Sequence, residues 1–271
     1  MKLKYTTKVF IVVNAIIIAF RTIQIMLLTE SGNCFLKDGF KAVNIIGTVV
    51  SVLALAALFI NSSQAVRQPE KINCKGVPSA VAAVLSGILY LSGGVIAVLG
   101  RHYGGTLLLI VSLSATVACV MIAISALKAK PIPKIGALGF AAFWLAEFVL
   151  AYFFYTERAL RVRTVYEAFA VCFVILFSIT FGKAISGVSS EKNFRRIYPL
   201  GLTSCSLCMV SLVPELIAGV CGFGDRVTES AVMPVTLAAA AVFTGFFTIN
   251  TFKKSNTIHP KAKKYRDNIS G

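Results

Sequence analysis

Residues Val9 to Leu28 read VFIVVNAIIIAFRTIQIMLL, preceded closely by Lys2, Lys4 and Lys8. About 20 mainly apolar residues are what a helix needs to cross a hydrocarbon core roughly 30 Å thick. Seven more stretches of this kind follow, at Val43 to Ile60, Pro78 to Leu99, Thr106 to Leu127, Ile135 to Phe154, Val165 to Gly182, Pro199 to Val220 and Ala231 to Phe252. Composition agrees: 57% of the 271 residues are hydrophobic and 14% charged, against about 45–50% and about 25% in an ordinary soluble domain. With a mean hydropathy of +0.81, lipid is the expected solvent for most side chains. The expectation is an all-α, polytopic membrane protein of eight spans. No intervening polar stretch is long enough for a soluble domain, so residues 1–271 read as one transmembrane domain.

The net charge of +16 would suggest a nucleic-acid partner in a soluble chain, but its distribution argues against that here. Alternate connections carry Lys2, Lys4 and Lys8; Arg67, Lys71 and Lys75; Lys128, Lys130 and Lys134; Lys183, Lys192, Arg195 and Arg196; and Lys253, Lys254, Lys261, Lys263, Lys264 and Arg266. Those are nineteen of the 27 basic residues. The opposite connections hold seven (Lys37, Lys41, Arg101, Arg158, Arg161, Arg163 and Arg226), and Arg21 lies inside a span. By the positive-inside rule both termini are expected in the cytoplasm of a cell membrane. A cleaved signal peptide is the weaker reading of the start, because Arg21 interrupts the apolar region and Thr29 and Ser31 make a poor processing site. The basic residues after Phe252 suit anionic lipid, although a positive-inside anchor accounts for them equally.

Pro78 and Pro199 are expected to open helices, where a missing N–H does no harm, and Gly100 and Gly222 to close them. The spacing of the spans allows a weak 4 + 4 parallel repeat in which Arg21 corresponds to Glu147, though side-chain identity between the halves is thin. Small residues recur at helix-contact spacing in Ser79, Ala83 and Gly87, in Ala115, Cys119 and Ala123, and in Ala241 and Gly245. Such faces let helices approach closely in lipid.

Four ionisable residues lie within spans: Arg21, Glu147, Glu167 and Glu215. Each is costly in hydrocarbon and needs a partner, a cavity or a function. From the inner edge, Arg21 and Glu147 lie at roughly 18 Å and Glu215 at roughly 24 Å, while Glu167 is near the outer end of its span. Asn14, Arg21 and Gln24 share one helix face, expected to turn inward. Pro214 beside Glu215 frees a backbone carbonyl one turn earlier. Two readings stay open, a structural ion pair, with Arg21 and Glu147 as its first candidates, and a solute or ion pathway. A pathway needs polar residues below Arg21, where the spans offer mainly Asn14, Asn44, Ser86 and Ser204.

Of the seven cysteines, Cys119, Cys172, Cys205 and Cys208 fall within spans, and Cys74 belongs to a cytoplasmic connection. Only Cys34 and Cys221 lie on the oxidising side, where they could pair. The C-x-x-C of Cys205 and Cys208 sits at lipid depth, which suits two small apolar side chains better than redox chemistry. His102 and His259 are the only histidines, which excludes His-based metal and triad motifs. No cofactor motif appears, and an enzyme is disfavoured. The best expectation is small-solute or ion transport or binding through an outward-facing polar pocket; the alternative is a non-catalytic accessory, sensory or structural subunit.

Overall fold

The computed structural model describes residues 2–29, 39–65, 76–101, 104–128, 134–135, 139, 142, 146, 162–186, 191–224 and 232–250. Seven helices long and apolar enough to cross a membrane emerge from them. Helix α1 (Lys2–Ile23) runs on into a π-helical turn, Gln24–Leu28. Then come α2 (Lys41–Ala65), α3 (Val77–Leu99), α4 (Gly105–Lys128), α5 (Val162–Ser186) and α6 (Glu191–Val220). Helix α7 (Val232–Ala241) also continues as a π-helical stretch, Val242–Phe247. The expected span Ile135 to Phe154 falls mostly outside the described residues, although Lys134, Ile135, Gly139, Ala142 and Ala146 are helical.

Side-chain contacts fix the helix directions. Thr6 meets Asn61 and Phe20 covers Gly47, so α1 and α2 are antiparallel. Gly87 packs on Cys119 and Gly94 on Ser112, making α3 and α4 an antiparallel hairpin. Ser86 donates to the Ala239 carbonyl while Gly93 meets Thr236, so α3 opposes α7. Gly201 faces Thr248 and Cys205 faces Gly245, so α6 opposes α7. Phe177 and Phe181 of α5 meet Phe243 and Phe247 of α7 in the same order, so those two are parallel. Thr7 shares a hydrogen bond with Tyr198, and Asn14 bonds Ser206. Helices α1 and α6 are therefore parallel and in register.

Helix α6 is the most buried of the seven and α2 the least. The small-residue faces do what their spacing suggests: Ser79, Ala83, Gly87, Ala115, Cys119 and Ala123 are all buried. Apolar side chains such as Ile46, Leu53 and Ile110 stay exposed, as lipid contact requires when hydrocarbon is the solvent. Exposed Lys8, Lys128, Lys183 and Arg196 gather at one end of the bundle, the basic end.

One expectation of helix punctuation is corrected. Pro199 does not open its helix: α6 begins at Glu191 and carries both Pro199 and Pro214 inside it. A helix can extend beyond the apolar span into polar sequence, and neighbouring groups in a bundle re-satisfy what a proline frees.

Candidate functional site

The face of α1 bearing Asn14, Arg21 and Gln24 turns into the bundle, where these side chains retain 5%, 3% and 0% exposure. Arg21 Nη1 donates to Gln24 Oε1, and Gln24 Nε2 donates to Asn44 Oδ1 on α2. This chain fixes which way round both amides sit. The π-helical turn beginning at Gln24 tucks Gln24, Ile25 and Leu28 inward, and wide turns of this kind recur at functional sites. Arg21 Cζ lies 4.8 Å from the centre of the Tyr166 ring on α5, a cation–π contact worth about 0.5–2 kcal/mol, most when desolvated. Beside Tyr166, Glu167 is partly buried.

Glu215 on α6 is buried to 6% exposure. The Asn14–Ser206 register places Arg21 level with Val213, with Glu215 two residues farther from the basic end. At about 1.5 Å per residue that is an axial offset of roughly 3 Å, half what span ends alone suggest. Glu147 lies outside the described residues, and so does any pairing of it with Arg21.

Toward the basic end further buried polar groups follow, on residues the sequence reading largely passed over. Asn14 Nδ2 donates to Ser206 Oγ at 2.9 Å and to the Phe10 carbonyl at 2.8 Å. Asn14 Oδ1 makes no hydrogen bond, and neither do the Thr203 and Ser204 hydroxyls, nor those of Thr248 and Tyr166. All five residues are at least nine-tenths buried. The run Thr203-Ser204-Cys205-Ser206 was the available signal. Of the residues expected below Arg21, Asn44 is corrected, lying level with Gln24 because the α1–α2 hairpin is antiparallel, while Ser86 gives its hydroxyl to the Ala239 carbonyl at the α3–α7 contact.

A groove of about 370 Å³ between α1 and α2 is a separate feature. Ile16, Phe20, Val43, Ile46 and Val50 line it, and several of them are exposed apolar residues, so it opens toward lipid and offers no polar chemistry. Cys205 and Cys208 are buried free thiols, and Cys221 is a free, exposed one; Cys34, its candidate partner, lies outside the described residues. Among the described residues no group of three His, Cys, Asp or Glu could hold a metal ion. Compared with protein-family models, curated proteins and solved structures, the chain matches none.

Proposed function

We propose that the chain moves or binds a small polar solute or ion, entering through the polar pocket formed by Arg21, Gln24, Asn44, Tyr166 and Glu215 at the end opposite the basic one. One observation carries this reading. Tyr166 Oη, Asn14 Oδ1 and the Ser204 and Thr203 hydroxyls are buried without hydrogen bonds and descend in that order from the Arg21 level toward the basic end. A buried polar group left unbonded costs about 1–3 kcal/mol, so four of them weigh heavily against a typical stability of about 5–15 kcal/mol. A solute or water passing along the seam gives each its partner.

The same proposal places the basic end in the cytoplasm of the cell membrane, with both termini there. Helices α4 and α5 point the same way, since α5 runs parallel to α7 and α4 opposes α3, which itself opposes α7. This supports a further crossing between α4 and α5, the proposed fifth span at Ile135 to Phe154, for eight in all. Eight spans keep the 4 + 4 parallel repeat available. Anionic lipid remains the partner proposed for the basic residues after Phe252, which lie outside the described residues.

The test is solvent access. Tyr166→Cys and Glu215→Cys, in membranes exposed to a membrane-impermeant thiol reagent from the outer face, should both be labelled, as should native Cys221. Phe169→Cys, on the lipid-facing side of the same helix as Tyr166, should not. Labelling of Cys221 with neither pocket position reached would refute the reading.

A further inference from the structure

The polar array around Arg21 uses its own acceptors internally and presents donors. An arginine carries only N–H donors and stays charged at physiological pH. Gln24 Oε1 accepts from Arg21 Nη1, and Asn44 Oδ1 accepts from Gln24 Nε2, so the chain ends on the Asn44 Nδ2 donor. The Tyr166 ring lies under the guanidinium, with Arg21 Cζ 4.8 Å from its centre. The hydroxyl at the edge of that ring is an independent observation: Tyr166 is 5% exposed and its Oη makes no hydrogen bond. A ring placed there only to pack under Arg21 is better made with phenylalanine, because a phenol desolvated without a partner is a net cost.

These groups define what they recognise. A fixed positive charge at this depth repels cations, and a set of donors calls for a ligand that brings acceptors. With Nη1 held by Gln24 and the ring beneath, the guanidinium is oriented, and its planar fork matches a head with two oxygens in one plane. The acidic neighbours then limit the ligand's charge. Glu167 is next to Tyr166, and Glu215 is buried on α6 two residues farther from the basic end than the level of Arg21. A single negative charge is matched by Arg21, whereas each further charge on a dicarboxylate or a phosphate would meet carboxylates instead.

We infer that the Arg21 array is an oxyanion site and that the solute it takes is a monocarboxylate, held by the Arg21 fork and the Tyr166 hydroxyl. This inference rests on the pathway reading proposed above. The solute exchanges with whatever neighbour the fork holds at rest, and Gln24 and Asn44 act as positioning residues that keep the fork turned toward it.

The test is protection of Arg21 from phenylglyoxal, a small arginine reagent, in membranes holding the full chain, read by peptide mass spectrometry. Arg101, exposed at the end opposite the basic one, is the internal control. Sodium acetate and sodium propionate should slow modification of Arg21 at least fivefold and leave Arg101 unchanged. Sodium chloride, choline chloride, succinate and phosphate at the same ionic strength should not. Tyr166→Phe keeps the ring and removes a hydroxyl that bonds nothing, so it should fold normally and need at least five times more acetate for equal protection. Should it fold poorly, the wild-type salt series still decides. Chloride or succinate protecting as well as acetate overturns the inference, as does modification that no salt slows. So does an Arg21 that stays unreactive until Glu147→Gln is introduced, since the chain's own carboxylate would then fill the site. If Tyr166→Cys is labelled from the outer face in any of these cases, the pocket stands and only the monocarboxylate site falls.

Discussion

Replacing Asn14 by valine should leave the bundle about as stable as before, or more stable. Asn14 Nδ2 makes one interhelical hydrogen bond, to Ser206 Oγ, and one local bond to the Phe10 carbonyl. Interhelical bonds of this kind average about 0.6 kcal/mol in double-mutant cycles, with a maximum near 1.7. Against that loss stands Asn14 Oδ1, buried and unbonded, whose removal recovers about 1–3 kcal/mol. The local bond scarcely enters, because the Phe10 carbonyl keeps its helical partner. Provided that Ser206 Oγ, freed of Asn14, turns to the carbonyl one turn earlier in its own helix as Ser211 does, the difference runs from roughly a 0.7 kcal/mol loss to a 2.4 kcal/mol gain, with most of the range on the stabilising side. The assay is equilibrium unfolding in mixed detergent of the wild type, Asn14→Val, Ser206→Ala and the double variant, which isolates the Asn14–Ser206 coupling. A loss above 2 kcal/mol in Asn14→Val, or a coupling above 2 kcal/mol, would refute the reasoning and make Asn14 a packing residue.

Three further outcomes are expected. Gly94→Ala places a methyl 2.8 Å from the Ser112 Cβ and 3.0 Å from the Leu109 backbone, so it should cost about 1–3 kcal/mol by overpacking; Gly219→Ala, with open space around it, should gain up to about 1 kcal/mol from helix propensity. Phe181 is fully buried in a cluster with Phe177, Phe243 and Phe247, so Phe181→Ala should lower the detergent melting temperature clearly, whereas lipid-facing Phe169→Ala should barely move it. The cost at Phe181 should fall below the roughly 3–5 kcal/mol of a soluble core, because the unfolded chain remains in lipid and only packing is lost. For topology, cysteines placed at Gly39 and Gly104 should label from the same face as native Cys221, and one at Lys128 from the opposite face; Lys128 labelling with Cys221 would break the eight-span proposal.

The helices were legible because hydrocarbon thickness imposes a length and a composition that few other structures share, and the inward stripe of α1 because Asn14, Arg21 and Gln24 repeat at helical spacing. Elsewhere the sequence carried weaker signals. Glu191-Lys192-Asn193-Phe194-Arg195-Arg196 is too polar to read as part of a span, yet α6 starts there, since its first turns need not lie in hydrocarbon. Tyr166 near a span end reads as an interfacial aromatic, and only the fold brings its ring under Arg21. The π-helical stretches have no sequence signature in Gln24–Leu28 or Val242–Phe247. Serines and threonines were underweighted because each can bond its own helix backbone, as Ser211 and Thr244 do; which ones do not is decided by tertiary packing.

That division bears on the choice between a pathway and an accessory subunit whose polar groups only set packing. Where polar side chains join helices in this bundle, they are bonded: Ser86 to the Ala239 carbonyl, Thr116 to the carbonyls of Gly87 and Ser112, Gln24 to Asn44. Of the six described side chains with buried, unbonded polar atoms, Thr203 and Ser204 lie on α6, while Asn14 and Thr248 pack directly against it. Tyr166 lies on α5 under Arg21, and Ser112, held against Gly94 in the α3–α4 hairpin, is the exception that packing alone explains. Unbonded groups scattered through the bundle would signal loose packing. Concentrated on and against the most buried helix, between Pro199 and Pro214 and beside a π-helical stretch, they favour the proposed pathway over the accessory subunit.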